Sequence, residues 1–218
     1  MGSGTGNSTK GGGTGGVDVG AFDTTSLVSE RERQREEVDQ TLTVLRDFNR
    51  DYGDISILED VHVATPLERK GRGVMGYYDS EGNLAITSGF FDTEKMNSTY
   101  DDCSNSGFHP SRGNRTGIEA VTAHEMGHKL TDEIGKKLGL GNWAINEAAQ
   151  RVVREAARNA GYGRNTRKMI AAISRYGAKS NAEGIAEACA DVYCNGDRAK
   201  RESRAIMDVV NRILRRRA

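Results

Sequence analysis

The segment His124-Glu125-Met126-Gly127-His128 constrains the fold of this chain more than any other feature. Residues four apart lie on one face of an α-helix, so a helix through the segment brings both imidazoles to one metal ion. Glu125 follows the first histidine directly, where a general base for water is needed beside the metal. A helix with two surface histidines is the competing interpretation. Two of the chain's four histidines lie within these five residues, which favours the metal site.

A third metal ligand is expected on a second helix, because a catalytic zinc ion usually has three protein ligands and one open position. After Ser180, small and apolar residues recur at helical spacing beside three acids four positions apart, Glu183, Glu187 and Asp191. In the alternative interpretation, Ser180 and Glu183 form a capping box and the other two acids are solvated. The upstream motif favours Glu183 as the ligand. We interpret Asp191 as a surface residue or a neighbour of the ligands.

The segment 176–188, with the sequence Tyr-Gly-Ala-Lys-Ser-Asn-Ala-Glu-Gly-Ile-Ala-Glu-Ala, resembles the one that completes the zinc site in gluzincins related to anthrax lethal factor. Gluzincins are zincin metallopeptidases with an H-E-x-x-H motif and a glutamate as the third zinc ligand. The resemblance covers about the C-terminal half of the chain, from near Ile118. It departs at Gly184 and Ile185, where the relatives prefer bulky aromatic residues, so no substrate preference follows from it.

The resemblance implies a zinc-dependent peptidase that hydrolyses peptide or protein substrates with a metal-activated water and Glu125 as general base. It implies one zinc ion per chain with three protein ligands: His124, His128 and Glu183. Tyr176 takes the position of a tyrosine that stabilises the oxyanion, and Glu187 that of a carboxylate held against a zinc-binding histidine. Two other functions remain open. One is a zinc-stabilised, non-catalytic module of a larger assembly such as a phage particle, and the other is a metal-free helical interaction protein.

Periodicity and turn residues predict a mainly helical α+β fold. Helices are expected from Ile118 to about Leu138 and over four C-terminal ranges and one N-terminal range: 142–159, 165–175, 181–194, 199–216 and 26–50. A strand over 55–64 and a hairpin of 74–78 and 84–87 predict a small sheet. By resemblance, this N-terminal sheet of a zincin-like fold lies over the motif helix, ahead of a helical C-terminal half. Residues 83–88 are then the edge that pairs with substrate.

Other residues carry more local expectations. Thr116 and Glu119 fit a capping box at the start of the motif helix, and Gly127 is expected where a neighbouring element packs closely. We interpret His109 as an ordinary loop histidine rather than a substrate contact, and His62 as a structural residue. Cys189 is expected in the core. The charged helix over 26–50 precedes the core, which suggests the hypothesis that it blocks the cleft.

Composition limits the possible environments and partners. Residues 1–24 are rich in glycine and are expected to form a disordered tail or linker, ahead of one metallopeptidase domain over 25–218. Equal numbers of basic and acidic residues, 31 each, give no indication of a nucleic-acid partner. We expect no membrane-spanning helix and no signal peptide, and the three cysteines indicate no disulfide framework. We expect a cytoplasmic monomer, and phage or toxin delivery without a signal fits equally well.

Overall fold

The computed structural model describes residues 34–65, 73–140 and 145–215. Within these ranges the chain forms seven α-helices and a three-stranded sheet, which confirms the predicted mainly helical α+β class. The elements are α1 (Arg35–Tyr52), β1 (Asp60–Ala64), β2 (Gly76–Tyr78), β3 (Asn83–Thr87), α2 (Thr93–Asn105), α3 (Gly117–Lys137), α4 (Ile145–Asn159), α5 (Thr166–Ile173), α6 (Asn181–Asn195) and α7 (Arg201–Leu214). The predicted tail, residues 1–24, lies outside the described residues.

Helix α3 carries the H-E-x-x-H motif through the centre of the fold. It begins at the predicted capping box: the Glu119 N–H donates to Thr116 Oγ1 at 3.2 Å, and the Thr116 N–H donates to Glu119 Oε2 at 2.8 Å. It ends before Gly139, whose φ of 66° suits a helix C-terminus. Most of its residues are buried, because it packs against α1, α2, α4, α6 and the sheet. The predicted span from Ile118 to about Leu138 is confirmed.

Helices α3 and α6 pack closely where Gly127 faces α6. A Cβ atom at position 127 would lie 2.7 Å from the Cα of Ala186 and 2.9 Å from the Cβ of Cys189. These distances are too short for a real Cβ contact, so glycine is needed here. The expected close neighbour of Gly127 is confirmed, as is the burial of Cys189. The packing brings the acidic residues of α6 to the histidines of α3.

The sheet has the strand order β1-β3-β2, with β1 parallel and β2 antiparallel to β3. The predicted hairpin is confirmed, with Gly76 opposite Ile86 and Tyr78 opposite Leu84. The prediction of a substrate-binding edge at 83–88 is wrong, because β3 is the central strand and both its edges are already paired. Alternating side chains identified the strand, but they carry no information about which neighbours pair with it.

Helix α1 is a core element despite its high charge. One face buries Val38, Leu42, Leu45 and Phe48, and the opposite face carries most of its charged residues. A polar contact ties it to the start of α3, where the Thr116 hydroxyl donates to Gln40 Oε1 at 2.8 Å. None of the helices in the described ranges has the length and apolar character needed to span a membrane.

Candidate metal centre and catalytic cleft

Three potential ligand atoms converge between α3 and α6. Glu183 Oε2 lies 3.1 Å from Nε2 of His124 and 3.5 Å from Nε2 of His128, and all three side chains are largely buried. Two ligand atoms bound at zinc–ligand distances to a tetrahedral ion lie about 3.3 Å apart. The observed spacing therefore fits the donor set of a tetrahedral zinc site.

Glu183 occupies the first turn of α6, and its local role differs from that of a capping-box glutamate. The Glu183 N–H donates to Ser180 Oγ at 3.1 Å, so the serine caps the helix as expected. The Glu183 carboxylate turns toward the histidines instead of completing the box. Its Oε2 is buried, and the short contacts to the histidines lack hydrogen-bond geometry. A buried carboxylate oxygen without a hydrogen bond is costly, and a bound cation relieves that cost.

The pKa values of these groups reflect their mutual attraction. Burial opposes charge on Glu183, but its short contacts and charge interactions with His124 and His128 hold its pKa well below the usual range. Burial likewise opposes the charged form of His124, yet its contacts with Glu183 and Glu187 raise its pKa well above the usual value. The lowered pKa keeps Glu183 negatively charged, and the raised pKa shows that a positive charge on His124 is stabilised. A proton or a metal cation can supply that positive charge.

Glu125 is buried beside the two histidines. One potential ligand atom from each of His124, Glu125 and His128 lies within 4.8 Å of the others, so Glu125 is a second carboxylate near the metal position. Glu183 Oε2 lies closer to both ring nitrogens, which favours Glu183 as the ligand. Burial raises the pKa of Glu125, although the histidines and a backbone hydrogen bond from Tyr78 oppose the shift. A raised pKa suits a carboxylate that accepts protons near neutral pH.

Glu187 joins two histidines through one oxygen. Its Oε1 lies 2.8 Å from Nδ1 of His124 and 2.9 Å from Nδ1 of His109, and these hydrogen bonds outweigh burial and lower its pKa to about 2. An ionised carboxylate only accepts hydrogen bonds, so both Nδ1 atoms carry hydrogens. Nε2 is then the nitrogen of His124 that could bind a metal, which is the usual arrangement at zinc sites.

Tyr176 completes the ring of side chains around this centre. Its ring centroid lies 5.7 Å from that of His124. The backbone of its loop pairs with the loop before α3, since the Tyr176 N–H donates to the Phe108 carbonyl at 3.0 Å. Burial, with added effects of Glu183 and Glu125, raises the pKa of the Tyr176 phenol, so its hydroxyl stays protonated and can donate.

His109 lies in the wall of the cleft, so its interpretation as an ordinary loop histidine is wrong. Its ring stacks on Tyr100 with centroids 5.3 Å apart, and it contacts Tyr176 at 5.1 Å. Its partner Glu187 lies 78 positions later, so no local pattern indicated the contact. The available signal was its position in a Phe-His-Pro loop directly before the motif helix.

A cavity of about 300 Å³ opens beside these groups. The cavity is lined by residues at β2 and by residues at the base of the cleft. They include Val74, Met75, Gly76, Tyr100, His109, Val121, His124, Glu125, Tyr176 and Lys179. No residue of α1 lines it, so the hypothesis of a blocking helix is wrong for residues 35–52. The remainder of that predicted helix lies outside the described residues.

Asp191 and His62 have structural contacts away from this centre. Asp191 is buried and accepts from the Lys200 N–H at 2.9 Å, from Ser203 Oγ at 2.6 Å and from the Asn195 side chain at 2.8 Å. It therefore fixes the turn from α6 into α7, and its interpretation as a surface residue or ligand neighbour is wrong. His62 hydrogen-bonds to Asp60 at 2.8 Å, which confirms its structural interpretation.

The structure thus brings together six residues that the sequence singled out: His124, Glu125, His128, Tyr176, Glu183 and Glu187. Comparisons of the chain with models of protein families, with curated proteins and with solved structures gave no match. Any function proposed for the chain depends on the geometry and chemistry of these side chains.

Proposed function

We propose that this chain is a zinc-dependent peptidase of the gluzincin type, with a zincin-like fold. The observation that carries the proposal is the convergence of His124 Nε2 and His128 Nε2 on Glu183 Oε2, at 3.1 and 3.5 Å. These three side chains would hold one zinc ion per chain. When bound, zinc polarises a substrate carbonyl and makes a water molecule more acidic.

The other side chains supply proton transfer and hydrogen bonds. Glu125 accepts a proton from the attacking water and delivers it to the leaving amine nitrogen. The Tyr176 hydroxyl donates a hydrogen bond to the carbonyl oxygen as negative charge develops on it. Glu187 accepts from Nδ1 of His124 and so fixes the orientation of that ring.

No strand in the described ranges pairs with the outer edge of β2, and this edge is the best candidate for substrate binding. The Met75 carbonyl accepts from the Thr87 N–H at 2.9 Å, so Met75 faces β3. Gly76 is offset by one residue, and its backbone groups therefore point away from β3. Gly76 also lines the cavity. An extended peptide that adds to this edge would pass beside Glu125, which makes a peptide or protein the proposed substrate.

The site chemistry weighs against the two alternative functions. A metal-free interaction module would leave Oε2 of Glu183 buried without a hydrogen bond, and only a proton on a histidine would balance the charge of this carboxylate. A purely structural zinc site is usually closed by four protein ligands. Here one of the three nearest donors, His124, lines a cavity that Glu125 and Tyr176 also line. This arrangement favours catalysis over a structural role.

The test is cleavage of a complex peptide mixture by the zinc-loaded chain, read by mass spectrometry. Glu125→Gln should keep zinc and lose roughly 10²-fold or more of the cleavage rate, since it removes the proton acceptor. Glu147→Gln is the matched control, because Glu147 is exposed on α4 and pairs only with Arg151 in the described structure. Zinc binding without cleavage by the wild type would favour the non-catalytic module. Full cleavage by Glu125→Gln would contradict the assigned base.

A further inference from the structure

Among the described residues that line the cavity, His109 is hydrogen-bonded to the candidate metal centre but has no role in the proposed chemistry. Its ring is held firmly, because Nδ1 donates to the buried Glu187 at 2.9 Å and one face stacks on Tyr100. The side chain is 10% exposed, and the residue lines the cavity. Among the described residues, no hydrogen bond uses its Nε2. His109 therefore combines a fixed orientation with one unused polar atom at the cleft.

Three rings lie close together beside the candidate metal centre. The ring centroid of Tyr176 lies 5.1 Å from that of His109 and 5.7 Å from that of His124, and the two histidine centroids are 6.4 Å apart. Two of these rings serve the proposed zinc ion and the substrate carbonyl oxygen. If His124 and Tyr176 hold the scissile peptide bond in this way, His109 can form a hydrogen bond with that peptide unit or with the next one along the chain.

The hydrogen-bonding role of His109 follows from its contact with Glu187. Because the Glu187 carboxylate accepts at Nδ1, the contact selects the tautomer of His109 that has its hydrogen on Nδ1. Its Nε2 then has a lone pair and accepts a hydrogen bond. The complementary group on a peptide is a backbone N–H, since a peptide carbonyl only accepts.

We propose that His109 is a substrate-binding residue whose Nε2 accepts a hydrogen bond from a backbone N–H of the peptide adjoining the scissile bond. The inference rests on the proposed peptidase function, because it concerns the same cleft. The competing role is structural: His109 would act only by holding Glu187 against His124. The two roles use different nitrogen atoms of one ring, so they can be separated by substitution.

Two amides mimic the two nitrogens of histidine. His109→Asn places an amide N–H near the position of Nδ1, which keeps the contact with Glu187 but removes the acceptor at Nε2. His109→Gln places its amide near the position of Nε2, where its oxygen can accept, but gives up the contact with Glu187. His62→Asn is the control, because His62 also bonds to a carboxylate but does not line the cavity.

The measurement is the affinity of the zinc-loaded full-length chain for two probes, a tripeptide hydroxamate and acetohydroxamate. Both probes bind zinc, but only the first has peptide N–H groups beside the zinc-binding end. His109→Asn should lower the affinity for the tripeptide hydroxamate roughly tenfold, which is the effect of one lost hydrogen bond. The affinity for acetohydroxamate should stay unchanged. His109→Gln should retain more of the tripeptide affinity, and His62→Asn all of it.

Two results would overturn the inference. One is equal tripeptide affinity for His109→Asn and the wild type. The other is a loss of zinc or of both probes in His109→Gln while His109→Asn behaves normally, because that pattern means the ring acts through Glu187. If His109→Gln does not fold, the comparison of His109→Asn with the wild type decides alone. If His109→Asn does not fold, a loss of zinc or of affinity for both probes in His109→Gln overturns the inference. The probes require zinc but no turnover, so a failure of the peptidase proposal appears separately, as the absence of peptide cleavage by the wild type.

Discussion

His124 and Glu187 are joined by a hydrogen bond of 2.8 Å between Nδ1 and Oε1, although 63 positions separate them. The contact links α3 to α6 at the point where Gly127 lets the two helices approach. The same oxygen accepts from His109, so one buried carboxylate connects both helices and the loop before α3. Its removal should affect the metal, the ring orientations and the packing together.

We expect Glu187→Gln to weaken zinc binding. The glutamine can still accept one hydrogen bond, but it lacks the negative charge that makes the His124 ring a stronger donor to zinc. Loss of such a partner typically costs tenfold to a hundredfold in metal affinity. Competition with a chromophoric chelator measures this directly. An unchanged zinc affinity would show that Glu187 does not support the metal site.

Gly127→Ala should lower the free energy of unfolding by about 1–2 kcal/mol. The added methyl group meets the backbone of Ala186, which cannot rotate away, and this outweighs the better helix propensity of alanine. Urea unfolding measures the effect. Gly89→Ala is the control, since no atom lies within 4 Å of a Cβ built there, and it should change the value little. A Gly127→Ala variant as stable as the wild type would contradict the close packing of α3 and α6.

A salt bridge anchors the loop that carries His109 and gives a pH-dependent stability. Arg112 donates from both Nε and a terminal nitrogen to Asp101, at 2.8 Å each, and the hydrogen bond lowers the pKa of Asp101. A lowered acid pKa stabilises the fold above the unfolded value near 4, and the effect is lost as the pH falls through the folded value. Both partners are partly exposed, so we expect only about 0.5–1 kcal/mol.

The measurement is the difference in unfolding free energy between the wild type and Asp101→Asn. At pH 7 the wild type should be more stable. The difference should shrink progressively below pH 4, and added salt should reduce it as well. A difference that stays constant from pH 7 to pH 2 would mean that the ion pair contributes nothing to stability.

The three thiols should differ in reactivity. Burial raises the pKa of Cys189 far above its usual value and that of Cys194 to about 12, and both are buried. Burial also raises the pKa of Cys103, but this residue is partly exposed. Titration with a coloured disulfide reagent should detect one thiol in the native chain and three in denaturant. Cys103→Ser should abolish the native reaction, and rapid native labelling of Cys189 would contradict its burial.

The sequence predicted most of what depends on neighbouring residues. The capping box at Thr116 and the periodic apolar positions of α3 define that helix locally, and the hairpin of β2 and β3 follows from its turn. The spacing of His124 and His128 fixes their shared face. Each of these features is determined by backbone geometry within about ten residues, so sequence reasoning could reach it.

The errors concern contacts between distant segments. The pairing of β1 with β3 places β3 in the centre of the sheet, and nothing in residues 83–88 indicates that neighbour. His109 meets Glu187 where its loop pairs with the loop of Tyr176 through the Phe108 carbonyl. Asp191 resembles Glu187 in spacing, yet it faces the turn before α7 and accepts a hydrogen bond from the Lys200 N–H there. Such relationships arise from packing rather than from local pattern.

The most direct test of the central claim is the zinc content of purified wild type, Glu183→Ala and Glu125→Gln, measured by elemental analysis with protein quantified in the same samples. The account predicts about one zinc per chain in the wild type and in Glu125→Gln, and a large loss in Glu183→Ala, because Glu183 is a ligand and Glu125 is not. Zinc retained by Glu183→Ala but lost from Glu125→Gln would exchange the two roles. A wild type that binds no zinc after reconstitution would contradict the metal site itself.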